Sequence, residues 1–394
     1  MAWRVNEICP QCGATVTLEE TDHLLSCPYC GVRHAVCAPS MPGYILVHRT
    51  GAGQVFYLPY LRFKGTVYAC GADNIFSRVV DLSIRTIPLA GAPLSLGLRV
   101  QGTPMAFAPE TPPGVYLDCT PDIKGILERA FKTAPGEQPV KAFYRAVIGE
   151  VISIIYLPLL LERETLKDGV SGKELGRIKD GPGFFEPWLK KESPCPPRLV
   201  ATICPNCGWD LEGEGISTVF VCTRCMKGWE IDLSGLKQTV CRFVPCSGNS
   251  AMFLPFWRME VHISVPGIQD EELRRMGTSV VWCPAFKIRP DVFLYLAGRL
   301  TASGRDFSTE EGMENACTFP VTLAGKEALE SVKLIVYKCS QRKSSLAPLL
   351  SIINVVSSKM ELFYLPFDTS GYELVCQCLP LTINKKALFF SRSL

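Results

Sequence analysis

Two cysteine quartets stand in one frame along this chain: Cys9, Cys12, Cys27 and Cys30, then Cys204, Cys207, Cys222 and Cys225. Both read C-x2-C, fourteen residues, C-x2-C, and each cysteine of the second quartet follows its counterpart by 195 positions (204 − 9 and 225 − 30 alike). That register predicts two metal sites and a duplicated chain together.

A tight turn across each C-x2-C pair brings its two sulfurs to one side, where four of them can surround one ion at about 2.3 Å. Cys9-Pro10-Gln11-Cys12-Gly13, Cys27-Pro28-Tyr29-Cys30-Gly31 and Cys204-Pro205-Asn206-Cys207-Gly208 place Pro early in the turn and Gly after the second cysteine. Pro has the fixed φ a turn needs, and Gly takes positive φ without strain. The fourth pair, Cys222-Thr223-Arg224-Cys225-Met226, lacks both residues. These segments resemble zinc-ribbon (rubredoxin-like) modules, in which two short hairpins clasp one zinc. The resemblance covers about 30 residues in each half. It implies two structural Zn2+ ions per chain, each closed by four sulfurs with no position left for water or substrate. Rubredoxin-like iron, with a redox or electron-transfer role, is an alternative that the same spacing allows.

Charge bears on the partner. Between Cys9 and Cys30 the charged residues are Glu19, Glu20 and Asp22, and between Cys204 and Cys225 they are Asp210, Glu212, Glu214 and Arg224. A zinc with four thiolates adds a formal charge of about −2, whereas phosphate binding depends on Lys and Arg displacing counterions. The ribbons are expected to meet a protein partner rather than nucleic acid, with a nucleic-acid-binding ribbon protein as the alternative.

The echo extends past the cysteines. Val55–Lys64 and Ala251–Glu260 share an aromatic-Leu-Pro core, with Pro59 and Pro255 196 apart and Arg62 and Arg258 likewise. Ile155–Leu159 and Phe363–Phe367 repeat that core around Pro158 and Pro366, now 208 apart. Aromatic and β-branched content makes these runs strands, and their prolines predict strand ends, edges or bulges, because Pro cannot donate to a ladder. Helices are expected at Asp122–Lys132, Asp270–Met276, Asp291–Thr301 and Leu323–Lys338, from apolar residues at three-to-four spacing and early Asp residues. The predicted fold class is α+β, a tandem duplication in which each half is a zinc ribbon followed by a β-rich α+β domain. The expected boundaries are ribbon 1–38, α+β unit 39–185, Pro-rich linker 186–200, ribbon 201–234 and α+β unit 235–394.

At 394 residues the chain exceeds the roughly 250 to 300 at which single cores stop growing, and it fits two bodies. The longest apolar run, Val151–Leu161, is too short for a membrane span of about 18 residues. Nineteen cysteines, an odd number with eight in metal-type pairs, favour a reducing, cytoplasmic setting. Among the other cysteines, Cys241-x4-Cys246 and Cys376-x-Cys378 are the close pairs. Net charge is +3 without a dense basic tract. No phosphate loop, G-x-S-x-G elbow or H-E-x-x-H pair occurs, and the four histidines form no motif. His34, four residues past Cys30, is expected at the surface or supporting the ligands. We read the chain as a non-catalytic scaffold, adaptor or assembly protein acting through protein–protein contacts.

Overall fold

Strict alternation of buried and exposed residues in Thr15–Glu19 marks the first of many short strands. The computed structural model describes residues 4–39, 41–48, 53–97, 102–118, 125, 142–190, 194–246, 251–265, 278–312 and 316–391. It is mostly strand, with few helices. β1 (Arg4–Ile8) and β2 (Thr15–Glu19) form one hairpin, and β3 (Leu24–Ser26) and β4 (Arg33–Cys37) a second.

The first body follows, with β5 (Gly43–Leu46), β6 (Gln54–Cys70), β7 (Ile75–Arg85), β8 (Met105–Phe107), β9 (Val115–Tyr116), β10 (Tyr144–Glu162), β11 (Thr165–Asp168) and β12 (Glu174–Arg177). Its axis is the antiparallel pair β6–β10, strands of 17 and 19 residues whose register shifts once, between Ile148 and Val151. Gly181–Trp188 is a 3-10 helix, and buried Phe185 stacks on Phe56 at 4.2 Å. Its last three residues, 186–188, fall in the stretch expected as a Pro-rich linker. Tight 3-10 geometry accepts the fixed φ of Pro182 and Pro187.

β13 (Arg198–Ala201), β14 (Val219–Val221), β15 (Gly228–Asp232) and β16 (Gly235–Thr239) surround the second quartet. The second body contains β17 (Cys241–Phe243), β18 (Met252–Ser264), β19 (Thr278–Pro284), α1 (Pro290–Ser303), β20 (Cys317–Thr318), α2 (Gly325–Glu330), α3 (Val332–Cys339), β21 (Asn354–Ser370), β22 (Glu373–Cys376) and β23 (Thr382–Asn384). α1 occupies the span expected from Asp291 to Thr301; Pro290 opens it and Gly304, at φ 56°, ends it. The helix expected over Leu323–Lys338 is divided at Ser331, whose buried hydroxyl donates to Ala328 O at 2.6 Å and tightens the turn. The helices expected at Asp122–Lys132 and Asp270–Met276 lie outside the described residues, apart from Gly125. Among the described residues no helix is long and apolar enough to cross a membrane.

The four repeated prolines sit inside the longest strands, paired on both sides of their own position, and this corrects the expectation of ends, edges or bulges. Tyr57, Leu58 and Pro59 face Pro158, Leu157 and Tyr156, while Phe253, Leu254 and Pro255 face Pro366, Leu365 and Tyr364. Each proline marks the place where its strand changes outer partner. On β6, β9 ends at Tyr57 and β7 begins at Tyr60; on β10, β5 ends at Tyr156 and β11 begins at Leu159. On β18, β20 ends at Phe253 and β19 begins at Phe256; on β21, β17 ends at Tyr364 and β22 begins at Phe367. Every proline carbonyl still accepts an outer hydrogen bond, from Thr86, Gly169, Ala285 and Gln377 at 3.2, 2.8, 3.0 and 3.0 Å. The missing N–H falls in the gap between two partner strands, so no ladder bond is lost.

The halves are joined closely. β13 adds antiparallel to β4, so the segment expected as a linker ends as a strand of the first ribbon's sheet. The distal ends of β6 and β10 contribute Tyr68, Cys70, Ala146 and Ile148 to the core of the second body, and Tyr337 donates its hydroxyl to Gly71 O at 3.1 Å.

Candidate metal centres

Each C-x2-C turn is closed by the same two backbone bonds. Gly13, Gly31, Gly208 and Met226 donate N–H to the carbonyls of Cys9, Cys27, Cys204 and Cys222 at 2.9, 3.0, 2.9 and 2.8 Å. Those four cysteines donate in turn to Ala14, Val32, Trp209 and Lys227 at 2.9, 3.0, 2.7 and 2.9 Å. The closing residue is left-handed throughout, at φ 74°, 73°, 73° and 56°, which explains three glycines and makes Met226 a strained exception. Packing supports the exception: the Met226 side chain lies against the second body's core and fills the space beside Gly312.

These turns bring together all eight cysteines expected as ligands. Cys9 and Cys30 sulfurs are 3.7 Å apart, Cys12 and Cys27 3.6 Å, Cys204 and Cys225 3.6 Å, and Cys207 and Cys222 3.5 Å. Within each quartet all sulfurs lie within 4.8 Å of one another. A tetrahedron with metal–sulfur bonds of 2.3 Å has sulfur–sulfur edges of about 3.8 Å, so both tetrads are positioned to bind a metal.

Proton affinities reflect the crowding. Hydrogen bonds from the backbone N–H groups of Cys30 and Tyr29 bring the Cys27 thiol down to about 6 despite burial. At Cys204 burial opposes the anion, but the N–H groups of Asn206 and Cys207 and the Cys225 thiol bring it down to about 7. Cys12 keeps its proton, pushed up to about 12: the backbone bond at Ala14 is outweighed by desolvation and by the thiols of Cys27, Cys9 and Cys30. Burial first, then the thiols of Cys207 and Cys225, push Cys222 up to about 12. A divalent cation would relieve this repulsion and allow all four sulfurs to ionise.

The two centres stand on different supports. Cys9 and Cys27 are buried in the first body's core with Val5, Leu18 and Leu25. Cys204 and Cys222 join Leu211, Phe220 and Trp229 in a smaller core shared with Leu24, Ala35 and Cys37 of the first ribbon. His23 and Leu24 both donate backbone N–H to Gly215 O, at 2.7 and 3.0 Å, fastening the ribbons together. The second cysteine of each turn faces outward, with Cys12, Cys30 and Cys207 exposed and Cys225 half-buried.

Two placements differ from sequence reasoning. His34 is buried in β4 with both ring nitrogens lacking a hydrogen-bond partner, and burial lowers its proton affinity; it belongs to neither the surface nor the metal tetrad. Glu20, counted as ribbon surface charge, is buried and paired with Arg62 at 3.2 Å and Lys64 at 3.7 Å, while Arg62 also reaches Asp81 at 3.0 Å. The available sign was an arginine inside an apolar strand, since a buried guanidinium needs carboxylates.

Beside this network a cavity of about 450 Å³ opens between ribbons and bodies, lined by Glu20, His23, Tyr44, Asp232, Lys287 and Glu327. Burial first, then the Lys287 charge, lower His23 from 6.5 to about 4, while burial raises Glu20 and Glu327. The unfolded chain thus takes a proton near pH 6.5 that the folded chain refuses until about 4. His23 stability is complete above pH 6.5 and is lost as pH falls through this window; the two acids act in the opposite sense at lower pH. His23→Gln is expected to remove about 1–2 kcal/mol of the stability loss between pH 6.5 and 4, a figure discounted for the ring's partial exposure. Urea titrations of both proteins across that range test it; identical pH slopes would refute the assignment.

Comparison with protein-family models, with curated proteins and with solved structures gives no match to this chain.

Proposed function

We propose that this chain is a non-catalytic, zinc-bearing scaffold, adaptor or assembly protein working through protein–protein contacts, built from two copies of one ribbon-plus-α+β unit. The observation that carries the contact role is the apolar surface beside both tetrads. Ile8 and Ile203 directly precede the first cysteine of each quartet and are 53% and 50% exposed. Tyr29, inside the second turn, is 72% exposed, and Trp209, after the third, is 49% exposed with the Arg224 guanidinium 5.2 Å from its ring centre. Single exposed apolar residues are ordinary, but Ile8 and Ile203 stand at matched positions beside the two centres and each has an exposed aromatic in its own tetrad's turns, which suits a surface that gains by burial against protein.

The duplication is supported by the four prolines, each at the same change from a short parallel to an antiparallel outer strand. Zinc as the metal is supported by the all-sulfur donor set at tetrahedral spacing. Metal analysis of purified protein is expected to give two zinc ions per chain without visible absorbance; a coloured, iron-containing protein would overturn that part.

The contact role is tested by comparing partner capture from native lysate with the wild type and with a variant carrying Ile8→Asp, Tyr29→Ser, Ile203→Asp and Trp209→Ser. The variant should retain metal and melting temperature yet capture at least about tenfold less partner, as expected when apolar anchors are lost from an interface centre. Equal capture by both proteins, or a wild type that stays a monodisperse monomer without partner, would count against it.

A further inference from the structure

The first body fills a place that the second leaves open. In the first, β9 lies parallel to β6, and Leu117 N–H donates to Tyr57 O at 3.1 Å. In the second, β20 lies parallel to β18, and Phe319 N–H donates to Phe253 O at 2.8 Å. Tyr57 faces Pro158 as Phe253 faces Pro366, so Tyr116 corresponds to Thr318 and Tyr156 to Tyr364. The correspondence is one of register and needs no common descent.

In the first body the Tyr116 ring stands 4.6 Å from that of Tyr156 and 5.1 Å from that of Tyr57. The segment leaving the 3-10 helix then runs along the outer edge of β9. Leu189 bridges Leu117 in antiparallel sense, Lys190 N–H donates to Tyr116 O at 3.0 Å, and Lys190 Nζ donates to the Tyr156 hydroxyl at 3.1 Å. In the second body an exposed Thr318 replaces the Tyr116 ring, and β14 meets this edge at Val321, where Thr218 N–H donates to Val321 O at 2.8 Å. A cavity of about 790 Å³ remains there, lined by buried Phe243, Phe319 and Tyr364 and by the more exposed Arg33, Glu212 and Glu214. Tyr364 is 2% exposed and, among the described residues, its hydroxyl has no hydrogen-bond partner.

We propose that this cavity takes an extended segment of a partner protein, laid along β20 as Leu189 and Lys190 lie along β9, with a lysine at the Tyr364 hydroxyl. The first body supplies the pattern for both the backbone and the lysine of the occupant. The Tyr364 oxygen accepts from the ammonium, and Glu212 and Glu214 outnumber Arg33 in favour of its charge. Apolar neighbours of that lysine cover Phe243 and Phe319. Strand addition of this kind takes affinity from main-chain bonds and specificity from side-chain pockets. Pro320 removes one such bond, since it stands where Asp118 N–H donates to Trp188 O at 2.6 Å, and the side chains carry more of the recognition.

The test pans a phage-displayed library of random octapeptides over the full-length protein and subtracts peptides retained by Thr318→Tyr, which restores the ring that fills the first body's site. The enriched sequences should carry a lysine beside large apolar residues. Replacing that lysine by norleucine in the best synthetic peptide should weaken binding about tenfold, the usual worth of a hydrogen bond to a charged group. Tyr364→Phe, which keeps the buried ring, should weaken the lysine peptide equally and the norleucine peptide by less than about twofold, the mark of a direct coupling. The variant without apolar anchors at Ile8, Tyr29, Ile203 and Trp209 should bind the peptide as the wild type does, so failure of that surface leaves this site standing. No enrichment over Thr318→Tyr, binders without lysine, or equal effects of Tyr364→Phe on both peptides would overturn the proposal. A dimer that Thr318→Tyr dissociates would give the site to a second copy and overturn it as well.

Discussion

Cys222→Ser is expected to leave one tetrad able to hold a metal ion where the proposal has two, and to unfold the segment around the second tetrad together with its seat on the first. Cys222 is fully buried and packs with Phe220, Trp229 and Leu211 against Leu24 and Ala35 of the first ribbon. In isolated zinc modules metal binding contributes on the order of 10 to 16 kcal/mol to folding, as much as the whole stability of an ordinary domain. Three short strands with a small apolar core cannot replace that contribution. Native mass spectrometry should find one ion per chain, and Trp229 fluorescence should shift to the red. Trp257 and Trp282, in the second body's core, should keep their buried emission. Cys195→Ser, at an exposed thiol outside both tetrads, should change neither measurement. Two retained ions with unchanged fluorescence would remove the assigned role from this tetrad.

How far the sequence could be read depended on the range of the interactions involved. The metal turns were legible because their chemistry is local: a left-handed residue after the second sulfur selects Gly, and the eight sulfurs meet as their spacing predicts. Even Met226, where the pattern fails, adopts the same turn under strain supplied by packing against residues far along the chain. The aromatic-Leu-Pro recurrences were visible, but their cause was not. A proline tolerated in a gap between two outer strands requires knowing which strands flank it. Glu20 shows the same limit more sharply. By composition it is ribbon surface charge, yet its partner Arg62 lies 42 residues away and brings it into the interior.

Arg62→Ala is expected to destabilise the protein by about 3–5 kcal/mol, the usual result of leaving a buried carboxylate without its cation. Arg62 and Glu20 are 2% and 8% exposed, and Lys64, at 3.7 Å from Glu20, compensates only in part. The cost has a pH signature. Burial already raises Glu20 while Arg62 and Lys64 hold it down, so losing the guanidinium raises it further. A protonated Glu20 needs no counter-charge, and the deficit of the variant should therefore be greatest near pH 7 and shrink as pH falls toward 5. Pairing Arg62→Met with Glu20→Leu should recover most of the loss, because an apolar pair of similar volume avoids both desolvation penalties. Arg258, at the corresponding place in the second body, supplies the comparison: its partners are Glu260 at 2.7 Å and an Asp306 that is largely in solvent. Arg258→Ala should cost about 1 kcal/mol, as expected for a partly screened pair. Urea denaturation of the wild type and the three variants at pH 7 and 5 decides the matter. Equal losses for Arg62→Ala and Arg258→Ala, or a loss independent of pH, would show that the position and not the buried carboxylate sets the cost.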